Sequence, residues 1–271
     1  MNEMKIEHNT VDIFGLDLLG SSKVKLLNIL RNVLKSKNDI IFIFTPNAEQ
    51  IVQMSSNPNF KRHLLQADFL LPDGISLVIA SFLLSVVKRS KMLKQRITGV
   101  DLAKSLLENA QKNQQRVLIV GGREYQLQVA SSELIDEASQ LYQLQHQLYW
   151  TPGYQDYLHP SSQEELALTQ IIQKLQPTVA MVAFGAPYQE EWAVLNRDLL
   201  NKAGVKIALT VGGSFDLIFG RLKRAPVLMR KIGLEWLFRL IQEPWRWRRQ
   251  LRLFKFWWLF FTRELFKKTT N

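Results

Sequence analysis

Short apolar runs separated by longer amphipathic stretches organise this chain. Ile40 to Phe44, Phe69 to Leu71, Val117 to Val120, Leu144 to Trp150, Val179 to Phe184 and Lys206 to Val211 are apolar, β-branched or alternating, and each is bounded by turn-forming residues. That pattern predicts strands. Asp101 to Gln111, Tyr125 to Ser139, Glu164 to Leu175 and Gln189 to Asn201 carry helical patterns between them. Such alternation predicts an α/β fold with a Rossmann-like, mostly parallel sheet and helices on both faces, in which ligands bind beyond the carboxyl ends of the strands. The residues that break the pattern fall at those ends: Thr45-Pro46-Asn47, Asp73-Gly74, Gly121-Gly122, Gly185-Ala186-Pro187 and Gly212-Gly213. No internal repeat and no low-complexity linker interrupts the order.

The pattern changes near Ala225-Pro226. Trp247, Leu251, Phe254, Trp258, Phe261 and Leu265 recur at spacings of three and four, with Arg248, Arg249, Arg252, Lys255 and Arg263 largely between them. This predicts an amphipathic helix with a wide aromatic face and a cationic flank. One reading docks that face on the body as ordinary core. Against it stands the run from Phe256 to Phe261, whose apolar girth exceeds one docking face and suits insertion into a membrane surface.

Charge sharpens the division. From Arg221 to Asn271 there are 14 Lys/Arg against 3 Asp/Glu, which accounts for the whole net charge of +11, and five of the seven tryptophans lie there. The expected organisation is an α/β catalytic domain over residues 1–220 and a basic, aromatic helical appendage over 221–271 that meets an anionic membrane surface. A chain of 271 residues, 46% apolar, is large enough for a substantial core and is not a disordered protein. It has no cysteine, which removes disulfides and Cys-ligated metals and is compatible with a reducing compartment. Met1 to Thr10 has no apolar core of a signal peptide, and the charge-free stretch Ile75 to Val87 is shorter than the roughly 20 residues that span a bilayer. A peripheral membrane protein, neither secreted nor membrane-spanning, is expected.

Several strand ends offer chemistry. One of Thr45 and Asn47 should cap the helix that follows. Asp73 is either a turn residue or a carboxylate at the sheet mouth that accepts a proton from a bound hydroxyl. At Gly185-Ala186-Pro187-Tyr188-Gln189-Glu190, glycine admits a ligand to the backbone, and the N–H groups of a helix starting at Pro187 favour an anion such as a diphosphate. Gln189 and Glu190 can hydrogen-bond a ribose, a uracil or a sugar amide, with a helix-dipole role as the alternative for Glu190. Arg96 can offset diphosphate charge or pair with Asp101. There is no GxGxxG, no Walker lysine loop and no Asp-x-Asp pair, and the four histidines are scattered, so neither a metal nor a cofactor is expected.

Taken together, these stretches resemble the WecG/TagA/CpsF family of glycosyltransferases, glycosyltransferase family 26. The matching pieces are Thr45 to Asn47, Ala67-Asp68 through Asp73-Gly74, Arg96 to Asp101, Gly185 to Glu190, Val211-Gly212-Gly213-Ser214-Phe215-Asp216, Arg224-Ala225-Pro226, and Gly233 to Leu240 with Glu243-Pro244. They run in family order from about residue 10 to 250. The resemblance implies metal-independent, inverting transfer of a sugar, often of N-acetylmannosamine type, from a UDP-sugar donor to a polyprenyl-diphosphate-linked sugar at the inner face of the cytoplasmic membrane. It assigns Asp73 as catalytic base with Thr45 and Asn47 beside it in the catalytic set. Arg96, Gly185, Pro187, Gln189, Glu190, Gly212 and Gly213 then fall to substrate binding, with Arg239, Arg246 and Arg249 of an appendage that closes over the site and touches the membrane. Ser76 replaces a family glycine, and Gly153-Tyr154-Gln155 replaces Gly-Tyr-Phe. Homo-oligomerisation is left open.

The expected mechanism is a single displacement in which UDP departs toward the helix near Pro187, Arg96 and the tail arginines. Two other classes compete. A membrane- or nucleic-acid-binding α/β protein without enzymatic activity could use the same tail, and vesicle and oligonucleotide binding at physiological salt separate these readings. Nucleic acid is not the expected partner. A Rossmann-type oxidoreductase is weakened by the missing glycine fingerprint.

Overall fold

Thr10 to Leu19 reads as two alternating stretches around Phe14-Gly15, and in the computed structural model they form a tight antiparallel hairpin. Both turn residues have positive φ, 58° and 75°, as a two-residue turn matched to strand twist requires. The structure describes residues 9–36, 39–122, 133–136, 140–145 and 147–266. In chain order the strands are β1 (Thr10–Ile13), β2 (Leu16–Leu19), β3 (Ile41–Phe44), β4 (Phe69–Leu70), β5 (Val117–Gly121), β6 (Glu133–Asp136), β7 (Leu141–Gln145), β8 (Leu148–Thr151), β9 (Val179–Ala183) and β10 (Ile207–Thr210). The helices are α1 (Lys23–Lys35), α2 (Ala48–Met54), α3 (Pro58–Leu64), α4 (Ile75–Lys88), α5 (Gly99–Lys112), α6 (Ser162–Leu175), α7 (Tyr188–Leu195), α8 (Arg197–Lys202), α9 (Phe215–Ile218), α10 (Val227–Lys231), α11 (Glu235–Gln242) and α12 (Trp247–Leu259). The fold class is α/β and Rossmann-like, with mostly parallel strands and a C-terminal helical region.

The chain forms two compact units: Met1–Asn28, Thr45–Thr98 and Arg224–Asn271 make one, Ile29–Phe44 and Gly99–Lys223 the other. In the second unit, β3, β10, β9, β5 and β8 pair in parallel, and β7 and β6 extend the edge antiparallel. Every residue of β3, β5, β9 and β10 is buried. Uninterrupted burial of apolar strands means that both sheet faces are covered, as parallel sheets require. In the first unit β2 pairs with β1 antiparallel and with β4 in parallel.

Three expectations change. Leu144 to Trp150 is not one strand: β7 and β8 turn back on each other at Gln147, which adopts a positive φ of 63°. No glycine or proline stands at this turn to announce it. Part of the stretch read as a helix, Tyr125 to Ser139, is strand β6, held by the pairing of Glu133 with Gln143 and Leu134 with Tyr142. The rest of that stretch, 125–132 and 137–139, lies outside the described residues. Gln189 to Asn201 divides into α7 and α8 at Asn196, whose φ and ψ of −97° and 16° leave the helical region.

The tail docks on its own unit with a face that shares only Leu265 with the predicted stripe. Phe256, Leu259, Phe260 and Leu265 are buried, and Phe256 meets Phe14 of the hairpin at 6.1 Å between ring centres. α12 packs against α2, and its final residues widen into a π-helical turn, Phe260–Leu265, that packs against α4. Trp247, Leu251, Phe254, Trp258 and Phe261 stay 42 to 73% exposed. Gly233 lets the chain between α10 and α11 lie on the start of α4, since a Cβ there would stand 2.7 Å from Ile75. Among the described residues no helix is long and apolar enough to cross a membrane.

Candidate active site

In the first unit, three turns are tied together by backbone hydrogen bonds. After the buried pair Phe69-Leu70, the segment Pro72-Asp73-Gly74 leads into α4. The Asp73 N–H donates to the Pro46 carbonyl at 3.0 Å, and the Ile97 N–H donates to the Pro72 carbonyl at 3.1 Å. Thr45-Pro46-Asn47, Asp73-Gly74 and Arg96-Ile97 are thereby neighbours. A Cβ on Gly74 would sit 3.7 Å from that of Asn47, ordinary contact distance.

Each side chain has a definable job there. Asn47 caps α2: its Oδ1 accepts from the N–H groups of Glu49 at 2.9 Å and Gln50 at 3.1 Å, and Gln50 reciprocates to the Asn47 N–H. The cap engages Oδ1 and not the amide nitrogen. Thr45 is buried. Asp73 is half-buried and directly precedes Gly74, the N-cap residue of α4.

The tail brings cations to the same unit, each with an acidic partner. Arg96 pairs with Glu235 of α11 at 2.8 Å, a partner other than the Asp101 considered from sequence, and Arg224 approaches the other oxygen of Glu235 at 3.5 Å. Glu243 is fully buried and accepts from Arg239 and Arg246 on one oxygen. Arg249 meets Glu49, in the first turn of α2, at 2.7 Å. Burial, reinforced by the charges of Arg239 and Arg249, pushes the Arg246 guanidinium below its usual range, and Glu243 opposes the shift.

In the second unit, Gln189 clamps two glycine turns. Its Oε1 accepts from the Gly185 N–H at 3.2 Å and the Gly212 N–H at 2.9 Å, and its Nε2 donates to Glu190 at 2.8 Å. Gly185 and Gly212 have positive φ, 84° and 48°, and Gly213 lies in the short 3-10 turn after Gly212. Pro187, in a cis peptide bond with Ala186, stands at the start of α7. Gln189 and Glu190 are 2% and 0% exposed, so both side chains face the protein and act on the shape of the turns. Beside them Phe184 stacks with Tyr154 at 5.6 Å and meets Tyr157 at 5.1 Å, and Tyr157 meets Tyr188 at 5.0 Å. Burial pushes the phenols of Tyr154 and Tyr157 up, which keeps them neutral. Among the described residues no group of three or more His, Cys, Asp or Glu is arranged to hold a metal ion.

Glu190 gives this unit a pH dependence. Burial pushes its carboxyl up from an ordinary 4.5 to about 7, against the opposing pull of hydrogen bonds from Gln189, its own backbone and Thr210. The folded chain therefore holds this proton more tightly than the unfolded chain does. The associated stability is fully present below about pH 4.5 and is lost as pH rises to about 7, on the order of 3 kcal/mol in all. Glu190→Gln mimics the protonated form and should remove that part of the slope. Urea unfolding between about pH 5 and 8 checks it, with the variant gaining on the parent as pH rises.

The sequence model of the glycosyl transferase WecG/TagA/CpsF family matches residues 11–270. The chain belongs to that family. Among its relatives, the N-acetylglucosaminyldiphosphoundecaprenol N-acetyl-beta-D-mannosaminyltransferase of Bacillus spizizenii (strain ATCC 23059 / NRRL B-14472 / W23) is 34% identical, over 91% of this chain and 89% of the relative. Proteins of the same name from Bacillus subtilis (strain 168) and Staphylococcus aureus (strain MRSA252) are 32% and 28% identical, over 84% and 90% of this chain and 81% and 87% of theirs.

Set against the WecG/TagA/CpsF expectations, the first unit gathers Thr45, Asn47, Asp73, Arg96, Arg239, Arg246 and Arg249, and the second gathers Gly185, Pro187, Gln189, Glu190, Gly212 and Gly213. Ser76, in place of the family glycine, is a buried residue of α4. Sequence reasoning missed the anions that position the arginines: Glu49, Glu235 and Glu243. Their signal was present, since Glu243 falls three and four residues from Arg246 and Arg239, the spacings at which helical side chains meet. It also missed the aromatic group around Phe184, although Gly121 and Gly153 mark it: a Cβ on either would stand 2.7 or 2.8 Å from the Phe184 ring.

Proposed function

We propose that this protein transfers N-acetylmannosamine from a UDP-linked donor to the N-acetylglucosamine of a polyprenyl-diphosphate lipid, with inversion at the anomeric carbon and without a metal ion. The reading rests on family membership and on relatives whose name states that transfer. The observation that carries its chemistry is the placement of Asp73: a half-buried carboxylate at the strand end before α4, held by its backbone against the Thr45-Pro46-Asn47 turn.

In this mechanism Asp73 accepts the proton of the acceptor hydroxyl as its oxygen attacks the anomeric carbon. The bond to the diphosphate breaks, and the electron pair leaves with UDP. Arg96 and the arginines of α11 and α12 stabilise the charge on the departing diphosphate. Thr45 and the amide of Asn47 orient the acceptor. The basic, aromatic tail holds the enzyme on the inner face of the cytoplasmic membrane, where the acceptor lipid lies. In this assignment residues 1–220 carry catalysis and 221–271 close the pocket and contact the membrane.

The test supplies the purified protein with a panel of UDP-sugars and a detergent-dispersed polyprenyl-diphosphate N-acetylglucosamine, and detects released UDP and the extended lipid. UDP release from UDP-N-acetylmannosamine that requires the lipid acceptor and survives a chelator is the expected result. Release only from other donors would change the donor assignment, and a chelator-sensitive reaction would remove metal independence.

A further inference from the structure

We propose that α4, the helix that begins at the Asp73-Gly74 turn, is itself a lipid-contacting element, and that its outer face enters an anionic bilayer beside the aromatic tail. The helix has no charged residue from Ile75 to Val87. Its inner side is occupied by Leu77, Ala80, Ser81 and Leu84, all buried. On its other side Ile79, Phe82 and Val86 follow at spacings of three and four, 43, 52 and 64% exposed, with Val87 at 54%. A solvent-facing helix ordinarily carries charge at these positions. An uncharged apolar stripe on a unit with a packed core of its own marks a surface that meets a partner.

Three observations identify the partner as an anionic lipid surface. The first is the rim. Arg89, Lys91 and Lys94 follow the helix directly, all exposed, with Met92 among them at 49% exposure, and Arg263 is exposed on the neighbouring π-helical turn. An apolar stripe flanked by cations matches hydrocarbon beneath an anionic headgroup layer. The second is continuity. The Phe260–Leu265 turn packs on α4, and Lys88 donates from Nζ to the Glu264 carbonyl at 2.6 Å, which joins α4 to the tail that exposes Trp258, Phe261 and Phe266. The third is charge. A second copy docking this face on itself would bring two such cationic rims together, which disfavours a self-pair.

The consequence concerns the reaction, and it rests on the reading of the acceptor as a lipid. At 1.5 Å per residue, Phe82 lies about 12 Å along the helix from Gly74. A membrane-seated α4 therefore holds the Asp73 carboxylate within reach of a sugar diphosphate at the headgroup level. The tail adheres and α4 sets the depth at which the base works.

The absence of cysteine makes the test direct. Phe82→Cys, Val86→Cys, Phe254→Cys in the tail and Asn113→Cys, exposed in the second unit, are each labelled with an environment-sensitive fluorophore in the full chain. Vesicles of phosphatidylcholine with and without phosphatidylglycerol are added. We expect blue-shifted, several-fold brighter emission at positions 82 and 86 on anionic vesicles, quenched by spin-labelled lipid, with position 113 unchanged. Labels at 82 and 86 that stay water-like while position 254 inserts would overturn the proposal and leave the transferase assignment intact. A shift at 82 that needs no vesicles and grows with protein concentration would overturn it in favour of a second copy. Phe82→Glu/Val86→Glu, with its fold checked by circular dichroism, should weaken partition onto anionic vesicles by about 10-fold while keeping turnover on a short, water-soluble acceptor. Undiminished partition would also overturn the proposal, whereas loss of UDP release by the parent protein would strike the transferase reading alone.

Discussion

Asp73→Asn should leave the protein folded and able to bind the donor while cutting turnover by roughly 100-fold or more, the usual scale for a positioned general base. The substitution separates the two roles that an aspartate at a strand end can have. A structural role in the turn survives, because asparagine is as good a turn former and cap as aspartate, and the backbone bond from residue 73 to the Pro46 carbonyl is untouched. Only proton acceptance is lost. Release of UDP under saturating donor and acceptor measures the effect, and donor affinity by calorimetry shows that the binding unit is intact. A fall in kcat with KM unchanged is the signature of a group used in the transition state and not in binding. Near-normal turnover would remove Asp73 from the role.

The parts of this chain that were legible in advance share one property: a local pattern decided them. β3, β5, β9 and β10 are buried on both faces, so each reads as a continuous apolar run whatever its partners. Thr45 and Asn47 announced a cap because they stand between such a run and a helix, and Asn47 is the one that makes it. What was not legible depends on contacts distant in sequence. The β7–β8 turn at Gln147 carries no turn residue, and β6 is a strand because β7 pairs with it. In the tail, α12 has an aromatic stripe and a separate docking face. The periodicity displays Trp247, Leu251, Phe254, Trp258 and Phe261 clearly, yet Phe256, Leu259 and Phe260 are the residues that bury. With apolar side chains around nearly the whole circumference, sequence cannot say which arc meets the hairpin and α2. Gln189 is the same lesson in polar form. Its type and position suggested a ligand contact, but its amide spans Gly185 and Gly212, 27 residues apart in sequence, and is nearly sealed from solvent.

Glu243→Gln should be the most damaging change in the tail, although residue 243 has no part in the chemistry. Its carboxylate is fully buried and holds both Arg239 and Arg246 on one oxygen. Burial and the neighbouring arginines already press on Arg246, and Glu243 is the charge that opposes them. Neutralising it removes the buried anion shared by two part-buried guanidiniums, and removal of one partner from a buried ionic cluster costs about 3–5 kcal/mol. The loss should concentrate at the junction of α11 and α12, because the Arg96 pair with Glu235 and the Arg249 pair with Glu49 remain. The tail should then become cleavable near Trp245 under limited proteolysis while the second unit stays resistant. Catalysis should fall with it, by about 10-fold or more in kcat, if displaced arginines no longer meet the departing diphosphate. Arg249→Gln is the informative comparison. It removes one cation at a contact where Arg249 is 45% exposed, leaves Glu243 in place, and should cost about 1 kcal/mol or less in stability. If both variants lost turnover but only Glu243→Gln lost the fold of the tail, positive charge and its placement would be separable requirements. If Glu243→Gln kept full turnover with a loosened tail, the arginines would have no role in stabilising the leaving group.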